Sequence, residues 1–363
     1  MKRLYVAATE RSTGKTTLCL GLLAAFRRRK LRVAFMKPVG QRCVWVDGVP
    51  VDTDVALMRS VFCLPQPVCD MSPLIVLQGT TRRFLDGRLR DLETLVRNAA
   101  ERLCAGADLL LIEGTGHAGV GSVLKLSNAR VARLLNAHVL LVANAGIGRT
   151  IDELALNLPL FRNEELPIAG VVVNKVEPRK AREVYPYIEK GLRPLRVRSL
   201  GWLPEKEFLS GPTMREIVGL LDARILCGKD CLDTVVLSIL IATGYPHTLM
   251  SRFAPSALVI ADGDREDIIL AVMNSNLVAR RKRAATCLCL TGGVLPHPKI
   301  RRLIAPANVP VICVRGDSYT VASRINDALV KISPEDVAKI SLVKRLVEKH
   351  LDVNSLLASL PDR

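Results

Sequence analysis

The feature that most constrains this chain is a short polar segment, residues 9–17, between an apolar run and a helix-forming run. The apolar run, Leu4 to Ala8, predicts a buried strand, and the residues from Leu18 onward predict a helix. Gly14, Lys15 and Thr16 stand at the turn between them. A strand, a tight turn, Gly-Lys-Thr and a helix are the context of a phosphate-binding loop, in which backbone N–H groups and a helix N-terminus surround an anion. The alternative is a plain strand-to-helix turn, and the flanking elements favour nucleotide binding.

One position departs from the usual pattern of such a loop. In G-x-x-x-x-G-K-[ST] the first residue is glycine, whereas Thr9 stands there in this chain. The remaining positions keep their expected chemistry. Lys15 is expected to reach the outer phosphates of a nucleotide, and the Thr16 hydroxyl is expected to bind Mg²⁺.

Length and charge limit the possible partners. A chain of 363 residues favours two domains. A formal net charge of +17 indicates either anionic partners or simply a basic surface, and composition alone does not decide between them. The basic residues are dispersed, with short clusters at Arg27–Lys30 and Arg280–Arg283. Aromatic residues make up only 4% of the chain and no base-reading motif occurs, so a nucleic-acid partner is not expected.

The ten cysteines and the apolar runs predict a cytoplasmic location. No pair of cysteines has the Cys-x-x-Cys spacing, and most cysteines stand in apolar runs, which favours buried free thiols over zinc. The first apolar run ends at Ala8, which is too short for a signal peptide. No apolar run approaches the length needed to span a bilayer, so no membrane association is expected.

Apolar strands alternate with helical patterns through the first part of the chain, which predicts a doubly wound parallel sheet of the α/β class. Polar residues follow several of these strands. Lys37 follows the strand at 31–36, Glu113 ends the strand at 107–112, and Asn174 ends the strand at 168–173. Ligands bind at the carboxyl ends of such strands, so these side chains are candidates for one site.

Asp52 and Asp54 form a further acidic pair, between a predicted hairpin with an Asp47-Gly48 turn and a helix from Val55 to Phe62. The two carboxylates could hold Mg²⁺ directly or through water. They could equally be a helix N-cap, because Asp caps helices well. The sequence leaves both interpretations open.

A break near Ser210–Pro212 separates a second, smaller α/β domain. We predict a nucleotide-binding domain at 1–211, a second domain at 212–330 and a helical tail at 331–363. In the second domain, strands end in 262–265, in 291–293 and in 315–317, and these glycine-rich turns could bind an anion or simply reverse the chain. The tail contains an amphipathic helix that we expect to pack on the second domain or on a second subunit.

These motifs resemble a known family. The Gly14-Lys15-Thr16 turn, Lys37-Pro38, Asp54, residues 113–116 and Asn174 resemble the dethiobiotin synthetase-like branch of P-loop proteins, which includes cobyrinic acid a,c-diamide synthase. The closer likeness is to the dethiobiotin synthetase-like N-terminal region of long bacterial phosphotransacetylases. Asp264-Arg265 and residues 291–293 resemble the two signatures of the DRTGG domain, which follows that region in those proteins.

The resemblance implies ATP and Mg²⁺ as cofactors and assigns roles to individual residues. Lys37 would stabilise charge on the transferring phosphoryl group together with Lys15. The implied Mg²⁺ ligands are Thr16, Asp54 and Glu113. The implied nucleotide-binding residues are Thr13, Gly14, Lys15, Thr16, Thr17, Gly114 and Gly116, with Asn174 and Pro204 at the adenine.

Two functions remain open. One is an ATP-binding regulatory module, a homodimer with slow ATP hydrolysis, whose DRTGG-like domain senses a small-molecule ligand. The other is an ATP-dependent carboxylate–amine ligase or amidase-type synthase. Gly40-Gln41-Arg42 follows Val39, where dethiobiotin synthetases carry small residues, and no acceptor pocket is recognisable in the sequence. We therefore favour ATP binding with Mg²⁺-dependent hydrolysis and leave the acceptor open.

Overall fold

The computed structural model of this chain describes residues 1–278, 287–328 and 330–361, so the basic cluster at Arg280–Arg283 lies outside the described residues. The chain divides into two compact units. The first unit comprises Met1–Glu205 together with the segment from Ile332 onward, and the second comprises Lys206–Lys331. The segment after residue 331 therefore belongs to the first unit and is not a separate tail. The second unit begins shortly before the boundary predicted after residue 211.

The first unit is built from alternating strands and helices. Up to residue 205 its elements are β1 (Lys2–Ala8), α1 (Lys15–Arg28), β2 (Val33–Met36), β3 (Val39–Gly40), β4 (Cys43–Val46), β5 (Val49–Asp52), α2 (Thr53–Phe62), α3 (Val68–Met71), β6 (Leu74–Ile75), α4 (Thr80–Leu85), α5 (Leu92–Cys104), β7 (Leu109–Glu113), a 3₁₀ turn (Ser122–Leu124), α6 (Asn128–Leu134), β8 (His138–Asn144), α7 (Ile147–Asn163), β9 (Ile168–Val176), α8 (Ala181–Leu192) and β10 (Ser199–Pro204).

Within the described residues, the main sheet of the first unit has six parallel strands in the order β10-β9-β8-β1-β7-β2. The strands are continuous apolar runs because helices cover both faces of the sheet. Chain order reverses beside β1, whose neighbours are β7 and β8. The loop after β1 thus opens at a topological switch point, where doubly wound sheets bind ligands. The predicted fold class is confirmed.

The second unit contains a smaller sheet. Its elements are α9 (Glu207–Ser210), α10 (Met214–Leu221), β11 (Arg224–Cys227), a 3₁₀ turn (Lys229–Cys231), β12 (Ser238–Ile241), α11 (Pro246–Met250), β13 (Ala257–Asp262), α12 (Glu266–Val278), β14 (Cys287–Thr291), α13 (Pro298–Ile304), β15 (Val311–Cys313) and α14 (Ser318–Asn326).

Among the described residues of the second unit, the strands lie in the order β11-β15-β14-β13-β12, with β11 antiparallel to β15 and the others parallel. Side chains of α11, α12 and α13 pack on one face of this sheet. Side chains of α10 and α14 pack on the other. The second α/β domain expected from the sequence is present, with its own core on each face.

The last two helices, α15 (Val337–His350) and α16 (Val353–Ala358), return to the first unit. Val343 and Val347 of α15 are fully buried. A Cβ built on Gly21 of α1 would lie 2.2 Å from Val347 Cγ2, so glycine permits the close approach of the two helices. The prediction that this helix packs on the second domain or on another subunit was therefore wrong. Its apolar face covers the helix that begins at the phosphate-binding loop.

No helix in the described ranges has both the length and the apolar character needed to cross a membrane.

Candidate nucleotide-binding site

The loop after β1 has the backbone that a phosphate cradle requires. Gly14 has φ +99°, a conformation that favours glycine, and α1 begins directly after it at Lys15. A Cβ at Gly14 would lie 2.1 Å from Asn174 Nδ2, so a larger residue would displace that side chain. Thr13 is fully buried, and its hydroxyl donates to the Glu10 carbonyl at 2.9 Å. Both glycine-specific geometry and side-chain hydrogen bonds hold this loop.

Lys15 connects the loop after β1 to the loop after β7. Its Nζ donates to the Gly116 carbonyl at 2.9 Å. Burial lowers the pKa of Lys15 to about 8, against the opposing attraction of the Glu113 carboxylate. The lysine expected to bind phosphate is thus buried at the junction of the two loops.

Thr16 and Glu113, two of the predicted Mg²⁺ ligands, are in direct contact. The Thr16 hydroxyl donates to Glu113 Oε1 at 2.8 Å. Glu113 ends β7 and is 1% exposed, and Val6 of the neighbouring β1 lies beside it in the sheet register. The parallel pairing of β1 and β7 therefore places the helix that follows β1 next to the carboxylate that ends β7.

Lys37 lies at the centre of a buried cluster of carboxylates. Its Nζ is 3.2 Å from Glu113 Oε1 and 3.5 Å from Asp52 Oδ1, and it donates to Asp54 Oδ2. Burial disfavours the ammonium, but the negative charges of Glu113, Asp54 and Asp52 outweigh this effect and raise the pKa of Lys37. Lys37 is 6% exposed, so it is a buried member of this cluster and not a solvated loop residue.

The two aspartates at the start of α2 have different roles. Asp52 is the N-cap of α2: its Oδ1 accepts from the Asp54 N–H at 3.0 Å, and its Oδ2 accepts from the Gln41 N–H at 2.8 Å. The N-cap interpretation is therefore confirmed for Asp52. Asp54 lies in the first turn of the helix and pairs with Lys37. The hairpin that precedes them was predicted correctly, with its turn at Asp47 and Gly48.

A hydrogen-bond network that the sequence did not reveal shapes the loop after β7. Asn128 Oδ1 accepts from the Tyr5 hydroxyl at 2.7 Å and from the Thr115 N–H at 2.9 Å. A Cβ at Gly114 would lie 2.5 Å from that same oxygen, so glycine is needed there. Gly116, with φ +65°, turns its carbonyl to Lys15. Gly114 and Gly116 thus serve the close packing and turning of this loop.

Pro204 ends β10 and Asn174 lies two residues before the end of β9, so these residues predicted to hold adenine lie at the same edge of the sheet. Asn174 Nδ2 donates to the Thr13 carbonyl at 2.7 Å, and its Oδ1 accepts from the Lys175 N–H at 2.8 Å. In this structure Asn174 therefore supports the phosphate loop. Pro204 is buried beside Val176 of β9. A role at adenine stays a prediction for both, as does phosphate binding by Thr17.

The oxygen donors at this edge suit Mg²⁺, which needs few protein ligands, better than they suit a metal that is held by protein side chains alone. Within the described residues, no group of three or more His, Cys, Asp or Glu side chains is arranged to hold a metal ion. Mg²⁺ is usually bound through one or two carboxylates or hydroxyls, with water and substrate phosphates completing its shell. Thr16 and Glu113 offer such a pair, and Asp54 reaches the same cluster through Lys37.

The corresponding edge of the second unit has a different character. Thr291 Oγ1 donates to Asp262 Oδ1 at 2.7 Å and lies 2.8 Å from the Ser318 hydroxyl. Arg265 donates to the Gly244 carbonyl and to the Asp267 carboxylate, each at 2.9 Å. Thr291 of the second signature therefore joins the ends of neighbouring strands, and Arg265 of the first signature holds the loop at Gly244. Whether this edge also binds a ligand stays a prediction.

Comparison with known proteins agrees with the division of the chain into two units. A family model described as AAA domain matches residues 2–213, and one described as DRTGG domain matches residues 216–328. The phosphate acetyltransferase of Synechocystis sp. is 29% identical over 98% of this chain and 51% of its own length. That of Nitratidesulfovibrio vulgaris is 28% identical over 99% of this chain and 52% of its own length.

The chain spans about half the length of the curated relatives it matches. Among solved structures, the cell division ATPase MinD of Pyrococcus furiosus matches 58% of this chain and 86% of its own, with 18% identity and a TM-score of 0.36. The chain belongs to the AAA domain family of P-loop proteins, in which it joins that domain to a DRTGG domain as in the N-terminal region of long phosphotransacetylases.

Proposed function

We propose that the first unit binds ATP with Mg²⁺ and hydrolyses it slowly, and that the second unit senses a small-molecule ligand, so that the chain acts as a regulatory module. The observation that carries the nucleotide proposal is the contact between the Thr16 hydroxyl and Glu113 Oε1 at 2.8 Å, beside the ammonium of Lys37. A P-loop hydroxyl, a strand-end carboxylate and a second lysine are thereby gathered at one strand edge.

These residues supply the chemistry that phosphoryl transfer requires. The reaction depends mainly on positioning and charge stabilisation, so few protein groups are needed. Lys15, now on the Gly116 carbonyl, would turn to the outer phosphates, and Lys37 would stabilise the transferring group. When bound, Mg²⁺ would neutralise phosphate charge, held by Thr16 and Glu113 with Asp54 nearby.

Glu113→Gln tests the metal role of the central carboxylate. The substitution keeps the shape of the side chain and removes its charge, so ATP turnover should fall at least about a hundredfold while ATP affinity changes only a few-fold. Glu93→Gln is the matched control, since Glu93 pairs with Arg130 on the surface. Equal turnover in Glu113→Gln and Glu93→Gln would reject the metal role of Glu113.

Lys15→Ala tests the phosphate cradle. We expect calorimetry to detect no ATP or ADP binding by this variant at concentrations that saturate the original chain. Unchanged affinity would reject the cradle, and so would the absence of nucleotide binding by the original chain.

Product analysis with ATP, carboxylates and amines separates hydrolysis from the ligase alternative. An amide product would favour a ligase, and phosphate with ADP alone would support the hydrolysis proposed here.

The regulatory half of the proposal has its own test. Turnover of ATP by the full chain should change several-fold with a ligand that Lys15→Ala still binds. Sedimentation with and without nucleotide would test the proposed homodimer. If every compound that alters turnover also requires Lys15 for binding, the second unit has no separate sensing role.

A further inference from the structure

Helix α7 presents a column of polar side chains to the phosphate loop. Arg149, Glu153 and Asn157 are spaced by four residues, which places them on one face of the helix. Their contacts span the whole loop. Asn157 Nδ2 donates to the Thr9 carbonyl at 3.1 Å, and its Oδ1 accepts from the Ala118 N–H at 3.0 Å. One helix side chain therefore joins the loop after β1 to the loop after β7.

The unusual threonine at the first loop position belongs to the same column. Thr9 is buried, and its hydroxyl donates to Glu153 Oε2 at 2.5 Å. Glycine could not make this bond. The other oxygen of the Glu153 carboxylate, Oε1, accepts from Arg149 Nε at 2.5 Å. The Thr9 hydroxyl therefore holds the Glu153 carboxylate, and Glu153 in turn holds Arg149 beside the loop.

The far end of Arg149 reaches into the loop itself. One of its terminal nitrogens donates to Glu10 Oε2 at 2.7 Å. The carbonyl of Glu10 accepts from the Thr13 hydroxyl at 2.9 Å and lies 3.5 Å from Lys15 Nζ. The Arg149 guanidinium and the Lys15 ammonium therefore contact the same residue, Glu10, and Lys15 marks the position expected for the outer phosphates.

The two carboxylates that hold Arg149 differ in burial. The side chain of Glu153 is 9% exposed, whereas those of Glu10 and Arg149 are 49% and 56% exposed. An exposed ion pair contributes little stability and is readily exchanged for another anion. Bound phosphate would also be repelled by the Glu10 carboxylate. The anchor on Glu153 can therefore persist while the outer end of the guanidinium changes partner.

We propose that Arg149 binds the third phosphate of the nucleotide, exchanging Glu10 for the γ-phosphate, and so determines the preference for triphosphate over diphosphate. This inference rests on the proposed nucleotide site. Arginine suits the task because its planar fork binds phosphate through two hydrogen bonds while its Nε keeps the Glu153 contact.

The test compares the affinities of ADP and of a non-hydrolysable ATP analogue by calorimetry. Arg149→Ala should weaken the analogue about tenfold to a hundredfold, the range of one charge-assisted hydrogen bond, and leave ADP affinity within twofold. Glu10→Gln should tighten the analogue several-fold, because it removes the competing carboxylate. Arg162→Ala, near the other end of α7, is the control and should change neither affinity.

Other outcomes reject the inference. Equal weakening of both nucleotides in Arg149→Ala would show that Arg149 only supports the loop, and no weakening of either would show that it has no role. Arg149→Lys keeps the charge without the fork, so we expect its affinity for the analogue to lie between those of the original chain and Arg149→Ala. If Arg149→Lys weakens the analogue and ADP equally, Arg149 only supports the loop. If the original chain binds neither nucleotide, the proposed function itself fails.

Discussion

The carboxyl ends of the parallel strands use polar residues in opposite ways in the two sheets. At the edge of the first unit, Lys37 and its carboxylate partners are buried. At the edge of the second unit, the acidic partner of Thr291 is the exposed Asp262, and Arg265 is tied to backbone carbonyls at the end of β12. Charge is concentrated away from water in the first case and spread over a hydrated surface in the second.

This difference follows from what each edge has to hold. Burying charged groups is costly unless each is compensated, so a cluster of buried carboxylates around one ammonium is a poor way to stabilise a fold. It is a good way to keep groups ready for a strongly charged ligand. The second edge, by contrast, satisfies its hydroxyls with hydrogen bonds that join neighbouring strand ends, from Thr291 to Asp262 and to Ser318. Similar strand-end motifs therefore indicate a ligand site only where unlike charges are also buried together.

The largest expected effect is that of Lys37→Met. The substitution leaves the carboxylates of Asp52, Asp54 and Glu113 without their shared cation, and removing one partner from a buried ionic group costs about 3–5 kcal/mol. Urea unfolding followed by tryptophan fluorescence measures this, because both tryptophans, Trp45 and Trp202, lie in the first unit.

Lys180→Met is the control for that measurement. Lys180 pairs with Glu177 on the surface, and its side chain is 63% exposed. We expect its loss to leave the unfolding midpoint nearly unchanged. Equal midpoints for Lys37→Met and Lys180→Met would contradict the view that the first edge is an electrostatically coupled cluster.

Val347→Ala tests the assignment of α15 to the first unit. Removing two buried methyl groups opposite Gly21 should destabilise the first unit by about 2 kcal/mol, because α1 cannot close the gap completely. Tryptophan fluorescence again measures the change. Val337→Ala, at a 68% exposed position of the same helix, should have almost no effect. Destabilisation confined to the second unit would mean that α15 packs elsewhere.

Thr291→Val tests the second edge. Valine keeps the volume and removes the hydroxyl that donates to Asp262, so the second unit should lose about 1–2 kcal/mol. Hydrogen exchange at β13 and β14 measures this loss locally, with Thr248→Val at an exposed site of α11 as the control. Nucleotide affinity should stay the same. A loss of nucleotide affinity without faster exchange would show that the second edge is a site and not a structural junction.

The sequence predicted the first edge well because parallel strands bring their carboxyl ends together. Lys37 follows one apolar run, Glu113 ends another, and Lys15 lies in the turn after a third, so a parallel sheet brings all three to one edge. Contacts that depend on side-chain partners were not predictable in the same way. An amphipathic pattern shows that α15 has an apolar face but does not show that Gly21 of α1 receives it.

Asn174 and the α7 column illustrate the same limit. An asparagine at a strand end can bind a base or a backbone carbonyl, and only coordinates show its contact with Thr13. The spacing of Arg149, Glu153 and Asn157 was a visible signal, since polar residues four apart share a helix face. Their target, however, depends on where β8 lies beside β1, which the sequence did not specify.

The smallest expected effect concerns pH and distinguishes the two lysines of the first edge. Burial lowers the pKa of Lys15 to about 8, whereas the surrounding carboxylates raise that of Lys37 despite its burial. Of the two lysines, only Lys15 should therefore lose its proton as the pH rises from about 8 to about 10 in the nucleotide-free protein. Bound phosphate restores that proton, so affinity should fall by up to about tenfold per pH unit above the pKa of Lys15. The stability of the free protein should change in the opposite sense. The unfolded lysine binds a proton that the folded one has released, so the free energy of unfolding rises with pH in this interval.

Calorimetry of ADP binding near the upper end of this interval, in buffers of different ionisation enthalpy, measures the proton uptake directly. The diphosphate of ADP is fully ionised at this pH, because phosphate groups titrate near pH 6, about two units below the pKa of Lys15. Uptake close to zero would mean that Lys15 is already charged in the free protein, and the buried edge would then be less distinct from the hydrated one than its contacts indicate.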